Sequence, residues 1–236
     1  MTKLEVDMFA TIIIPVLNEA ARIGGLVRYL RAHSQGVVAE ILVVDGGSSD
    51  QTPALAAAAG ARVLHCPVQS RAAQMNAGAR QAATDWLWFV HADTTPPPGF
   101  AADLTAVAAG GRVAACYRYR FDSPSLLLRF NSYFNRFSML WCQGGDKTFF
   151  IRKDIFEALG GYDERFVIME EYDFLKRMRR RQHPLYIIPE NALVSARKYK
   201  HNSWLRVQLA NTLTFMLFRL GVAPVLMKKF YRKMLH

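Results

Sequence analysis

The sequence predicts an α/β fold built on a mostly parallel sheet with helices on both faces. Three observations carry that prediction. Short apolar runs recur, each ended by polar or turn-forming residues. Segments with helical spacing separate them over roughly the first 95 residues. Two of the runs end in a carboxylate, Asp45 and Asp93, the end at which open α/β sheets place their ligand chemistry.

The elements follow in order. Ala10–Val16 is a short apolar run suited to a buried parallel strand, ended by Asn18. Arg22–His33 carries Ile23, Leu26, Val27 and Leu30 at helical spacing. Glu40–Asp45 is a second strand, followed by the turn Gly46-Gly-Ser-Ser-Asp50. Gln51–Ala59 is Ala-rich and closes at Gly60, a helix with a glycine after its end and Asp50 as its N-cap. Arg62–Cys66 is a third strand, Arg71–Ala83 a helix and Trp86–His91 the fourth strand. Pro96, Pro97 and Pro98 lack the N–H a ladder needs and stop that strand.

Beyond the prolines, Ala101–Ala108 reads as helix and Arg112–Phe121 as strand. Ser123-Pro124 opens an aromatic helix from about Leu126 to Leu140. Its Phe130, Tyr133, Phe134 and Phe137, with Trp141 beyond its end, are expected mostly in the core, with a share in an acceptor site as the alternative. Gln143–Asp146 is a turn, Thr148–Arg152 a strand, and Asp154–Leu159 a helix ended by Gly160-Gly161. A helix over Glu170–Arg181, strands over Leu185–Pro189 and Leu193–Ala196, and helices over Trp204–Leu220 and Val225–Leu235 complete the chain.

At 236 residues, 51% hydrophobic and 21% charged, the composition is that of one globular domain rather than a disordered chain. No boundary or repeat divides it. Cys66, Cys116 and Cys142 are odd in number and widely spaced. They suit neither a disulfide framework nor a zinc site and fit a reducing cytosol. Residues 1–6 carry an acid and no apolar run, so no secretory signal is expected. The net charge of +11 is concentrated: from Leu175 onward, 14 lysines and arginines face one acid, Glu190. Such asymmetry fits an anionic partner surface or a solvated basic face.

Four groups could carry chemistry. Asp45 and Asp93 end strands that would run parallel, at one edge of the sheet. The turn after Asp45 offers backbone N–H groups with Ser48 and Ser49 to a polar ligand. In an extended segment His91 and Asp93 would share a face. Asp93 either caps the turn into the prolines or, with phosphate oxygens and water, holds Mg²⁺ or Mn²⁺, His91 being a second ligand that favours Mn²⁺. In Met169-Glu-Glu-Tyr-Asp-Phe174, acids suit a helix N-terminus and Asp173 can pair with Arg177. Three carboxylates in one turn also raise one another's pKa, which can prepare a general base.

The last helix puts Leu226, Met227, Phe230, Tyr231, Met234 and Leu235 on one half and Lys228, Lys229, Arg232 and Lys233 on the other. It suits either an anionic membrane surface or docking on the core. Leu209–Phe218, flanked by Arg206 and Arg219, falls short of the ~20 residues a transmembrane helix needs.

Ile13-Ile-Pro-Val-Leu-Asn-Glu19, Ile41–Asp50, Asn76-Ala-Gly78, Phe89-Val-His-Ala-Asp-Thr94, Gly160-Gly-Tyr162 and Glu170-Glu171 together resemble family 2 glycosyltransferases, in order from about Thr11 to Arg181. Val-His-Ala-Asp-Thr with Gly145-Asp146 is similar to a small bacterial subgroup of soluble or peripheral members. The resemblance implies a GT-A fold over one continuous domain. Its nucleotide-binding half would span about 10–95 and its acceptor half about 96–200, with basic helices at about 203–236. It implies an inverting hexosyltransferase using a nucleotide-diphosphate sugar and Mn²⁺ or Mg²⁺. Pro15 and Glu19 would lie near the base, Asp45 would hydrogen-bond it, and Arg71 and Asn76 would contact the donor. Asp93 would bind metal and donor, and Glu171, beside Glu170, would be the general base. His91 replaces the first carboxylate of the usual Asp-x-Asp motif, and Glu171 stands where Asp is commoner. No Gln-x-x-Arg-Trp motif occurs, so a non-processive enzyme is expected. Its acceptor could be lipid-linked and its location the cytoplasm or the inner membrane face, with no nucleic acid as partner. The alternatives are a nucleotidyltransferase on the same sheet or a basic adaptor without catalysis.

Overall fold

A computed structural model describes residues 8–143 and 147–235 of the chain. Gly145 and Asp146 lie outside the described residues. One eight-stranded sheet runs through both halves. The first half supplies β1 (Ala10–Val16), α1 (Ala20–His33), β2 (Val38–Asp45), α2 (Thr52–Ala58), β3 (Arg62–His65), α3 (Arg71–Gln81) and β4 (Trp86–Phe89). The second supplies β5 (Thr94–Thr95), α4 (Phe100–Ala109), β6 (Ala114–Phe121), α5 (Leu126–Tyr133), β7 (Phe149–Arg152), α6 (Lys153–Ala158), α7 (Glu170–Arg180) and β8 (Tyr186–Val194). Three helices follow: α8 (Lys198–His201), α9 (Trp204–Arg219) and α10 (Pro224–Met234).

The strand order is β3-β2-β1-β4-β7-β6-β8-β5. β1 to β4 are parallel, as expected from the alternation. β7 runs antiparallel between β4 and β6, which makes the sheet mixed, and β6 and β8 pair in parallel. All seven residues of β1 are buried because both faces of the sheet are covered. Ile12 and Ile14 belong to a core with α1, α2 and α4, while Ile13 faces α3, α6 and α7. Gly78 lets α3 approach closely: a Cβ there would stand 2.5 Å from the Ile13 side chain. Pro15 sits two residues beyond Ile13, whose carbonyl accepts from Val90, so its missing N–H points where β4 has already ended.

Several expectations are corrected. The fourth strand ends at Phe89, and a turn closed by Thr94 N–H to the His91 carbonyl follows. The two side chains therefore leave a turn, not an extended segment, and take different partners. The aromatic helix stops at Tyr133 and continues as 3₁₀ turns at Phe134–Arg136 and Leu140–Cys142. Most of its aromatic residues are not core: Phe130 is 59% exposed and Trp141 51%. The two strands expected after α7 are one, β8, in which Pro189 and Glu190 bulge out between the Tyr117–Ile188 and Arg118–Asn191 pairs. The N-cap of α2 is Gln51, one residue later than expected. Asp50 instead accepts from Thr52 N–H and from Ala20 N–H, tying the starts of α1 and α2 together.

α10 docks on α9. Met227 is fully buried, and the Tyr231 hydroxyl bonds to Asn211 and Lys198. Leu226, on the same apolar half, stays 58% exposed. No helix among the described residues is long and apolar enough to cross a membrane.

Candidate active site

Two loops at the C-terminal edge of the parallel strands form the first wall. Asp45, buried at the end of β2, accepts from the N–H groups of Gly47 and Ser48 and from the Ser48 hydroxyl at 2.5 Å. It holds its own turn shut. Gly47 permits that turn with φ of +92°. Asn18 joins the neighbouring loop: its N–H donates to Ser48 Oγ and its Oδ1 accepts from Ser49 N–H. Beneath, the Gln74 amide of α3 donates to the carbonyls of Val16 and Val44 at 2.8 and 2.7 Å, covering the ends of β1 and β2. Pro15 is buried in the floor behind this wall.

The second wall comes from α7. Met169 adopts φ of +66°, which turns the chain so that Glu170 and Glu171 open the helix at the mouth of the sheet edge. His91 Nε2 lies 2.9 Å from Glu171 Oε1, with both side chains largely buried. Burial drives the imidazolium down, but the hydrogen bond and charge of Glu171, helped by Asp93, outweigh it and hold the His91 pKa above its usual value. Glu170, 2% exposed, faces Arg71 Nε of α3 at 2.9 Å. Burial and these two carboxylates keep the neighbouring Tyr162 phenol neutral far into the alkaline range.

Asn76, expected at the donor, has its amide engaged in a clamp. Nδ2 donates to the Tyr162 carbonyl and to Glu164, and Oδ1 accepts from Tyr162 N–H. The clamp fixes the Gly160-Gly161 turn to α3. Gly161, at φ +64°, has room for no Cβ there, since one would meet Asn76 Oδ1 at 2.8 Å.

Arg197, just past β8, is the residue the sequence did not single out. Its guanidinium grips Glu19 with two contacts at 2.5 and 2.9 Å and reaches within 3.6 Å of Asp93 Oδ2. Ser195 N–H donates to the Asp93 carbonyl at 3.0 Å, binding this segment to the turn. Nothing local marks Arg197: Glu19 is 178 residues away, and Arg197 sits inside a basic run.

Asp93, with 27% of its side chain exposed, is more accessible than Asp45, Glu19, Glu170 or Glu171. No group of three or more His, Cys, Asp or Glu that could hold a metal occurs among the described residues. One open carboxylate fits a Mg²⁺- or Mn²⁺-type ion whose other ligands are phosphate oxygens and water, rather than a closed protein cage. Behind Glu171 lies a narrow cavity lined by Cys116, Gln143, Lys147, Tyr162, Phe174 and Leu185. Lys147 is buried there, donating to the Asn135 carbonyl and to Gln143 Oε1, and burial lowers its pKa. A lysine in a loop gives no sequence signal of such burial.

The sequence model of "Glycosyl transferase family 2" matches residues 11–162, well over half of the chain. The chain belongs to glycosyl transferase family 2. This family 2 chain is 27% identical over 204 residues to the succinoglycan biosynthesis protein ExoA of Rhizobium meliloti, covering 78% of the chain and 62% of that protein. Among solved structures it is similar to glucosyl-3-phosphoglycerate synthase from Mycobacterium tuberculosis, in complex with Mn²⁺, UDP and glucosyl-3-phosphoglycerate, at TM-score 0.66 and 19% identity, over 91% of this chain and 81% of the other. A second is the mannosyltransferase of Pyrobaculum calidifontis in complex with GDP-mannose and Mn²⁺, at TM-score 0.69 and 18% identity, over 94% and 68%. The fold is GT-A, as the family resemblance implied.

Proposed function

We propose that the protein is an inverting, non-processive glycosyltransferase that moves a sugar from a nucleotide-diphosphate donor to an acceptor hydroxyl with help from Mn²⁺ or Mg²⁺. One observation carries the reading: the Glu171 carboxylate is held at 2.9 Å by His91 in the turn that also presents Asp93. A base and a candidate cation ligand thus meet at one sheet edge. Family membership and the metal–nucleotide complexes of the two structural neighbours support it.

In this reading the loops around Asp45 and Asn18 cradle the nucleotide, with Pro15 beneath it and Glu19 at the rim. Asp45 acts by fixing that turn: the N–H groups of Gly46, Gly47, Ser48 and Ser49, which the sequence offered to a ligand, are all taken up inside the protein. Asp93 would hold the divalent ion, which supplies charge neutralisation for the departing nucleoside diphosphate. Glu171 takes the acceptor proton as the hydroxyl oxygen attacks the anomeric carbon from the face opposite the leaving group. His91, donating to Glu171, orients the base and serves it rather than the ion. Glu170 and Arg71 anchor the start of α7, and Asn76 positions the turn beneath it instead of touching the donor.

The acceptor is proposed to be presented at the inner face of a membrane, a lipid-linked hydroxyl included. The exposed Leu226 and the basic face of α10 support that placement. The testing experiment is a thermal-shift screen of nucleotide sugars with Mn²⁺ or Mg²⁺, followed by product analysis with the donor that binds. Stabilisation by a donor only with metal, and release of a nucleoside diphosphate, is the expected result. Release of pyrophosphate would instead make it a nucleotidyltransferase.

A further inference from the structure

A second, basic cleft lies away from the site just described. It measures about 550 Å³ and is lined by Arg112, Arg136, Phe137, His183, Pro184 and Tyr186, among others. β4 and β6 both run antiparallel to β7 and so point the same way. Arg112 precedes the start of β6 whereas Asp93 follows the end of β4, so cleft and active site open at opposite edges of the sheet. Leu185 stands between the cleft and the cavity behind Glu171.

Chemistry selects the occupant. Three cationic or protonatable groups line the cleft, and no acid does among the described residues. Both guanidinium groups lie over aromatic rings, Arg112 over Tyr186 at 3.6 Å and Arg136 over Tyr133 at 3.8 Å from Cζ to ring centroid. That stacking leaves a guanidinium edge to meet an anion. Directly beside it, α5 and the following turns expose a continuous apolar ledge: Leu126 at 73%, Phe130 at 59% and Trp141 at 51%. Phe134 joins their rings, lying 5.1 Å from Phe130 and 5.9 Å from Trp141. Arg136 and Phe137 belong to both ledge and cleft. From Ser123 to Gln143 the chain has no Asp or Glu.

We propose that the ledge and cleft together are a docking surface for an anionic phospholipid bilayer. The lipid phosphate sits in the cleft against Arg112, Arg136 and His183, and the exposed rings enter the headgroup boundary. Interleaved aromatic and basic residues without acids are what such an interface recognises. A second copy of the chain is the poorer match, because a symmetric contact would set the same cations against each other. The inference rests on the membrane placement proposed above only for the chain being held at a bilayer; it moves that contact from α10 to the ledge and does not assign the acceptor, since the cleft opens at the other edge of the sheet.

The test is co-flotation of the full chain with phosphatidylcholine vesicles, with and without about one-third phosphatidylglycerol, at low and raised salt. Binding to the anionic vesicles alone, weakened by salt, is expected. Arg112→Glu with Arg136→Glu, and separately Phe130→Ser with Trp141→Ser, should each lower it by about tenfold or more, while Lys228→Glu with Lys229→Glu changes it less than about threefold. Unchanged melting temperatures and donor binding would show that the exposed substitutions fold. Binding abolished by the α10 pair and untouched by the other two would overturn the inference and keep the membrane placement. No vesicle binding by the parent protein overturns both. Stabilisation by soluble glycerol phosphate without flotation, tighter binding to a single-stranded oligonucleotide than to vesicles, or dimerisation through the ledge would each overturn it as well. No arm measures turnover, so the glycosyltransferase reading stands or falls separately.

Discussion

His91 and Glu171, eighty positions apart in the chain, meet through a 2.9 Å contact between imidazole Nε2 and carboxylate Oε1. The contact joins the turn after β4 to the first turn of α7. It couples the residue that replaces an expected carboxylate to the residue proposed as base.

Glu171→Gln keeps the shape and the hydrogen-bond reach to His91 but cannot accept a proton. Turnover is expected to fall by about 10²–10⁴-fold while donor affinity, read by calorimetry, stays within about twofold. Full activity in the variant would remove Glu171 from the base role.

Asp93→Asn should abolish the thermal stabilisation that Mn²⁺ and donor give together, because a neutral amide is a poor ligand for a hard cation. The expected loss of activity is about 10²-fold or more, by analogy with other lost transition-state electrostatic contacts. A retained metal-dependent shift would place the ion elsewhere.

Asn76→Ala removes three hydrogen bonds from the clamp on Tyr162 and Glu164. Leaving the Tyr162 backbone groups unsatisfied should cost about 2–3 kcal/mol in urea unfolding. Donor affinity should change little, which separates the clamp from direct donor contact.

Lys147 gives a pH signature. Its native pKa is depressed by burial from the ordinary 10.5. Between the lowered native value and 10.5 the unfolded chain binds more protons, so this group makes stability rise with pH across that window. Below the window the buried charge is a constant penalty. Lys147→Met should flatten the rise, measured as unfolding free energy at a series of pH values.

The parallel half of the fold was legible because its strands are buried on both faces and read as plain apolar runs, as in Ala10–Val16. Asp45 was legible as a strand-end carboxylate, whereas Asp93, read the same way, stands in the turn after β4. What escaped depends on partners remote in sequence. The clamp of Asn76 on Tyr162 is invisible until the two, 86 positions apart, are brought together. Arg197 is anonymous until Glu19 and Asp93 are brought within its reach. The ledge misled for a different reason: aromatic residues at helical spacing ordinarily pack inward, and periodicity alone says nothing about which face finds a neighbour. Pro189 split one strand into two readings because a proline interrupts the ladder, and only the bulge shows how the strand continues.

The pairing of β5 with β8, together with the bond from Ser195 N–H to the Asp93 carbonyl, has a consequence for assembly. The four parallel strands are complete in the chain at Phe89 and pair over moderate sequence separations. The turn bearing Asp93 gains its last restraints only when residues about a hundred positions later arrive. Such distant closures are slow. A nascent or C-terminally cut chain would therefore hold the loops around Asp45 and Asn18 before the turn bearing Asp93 was fixed.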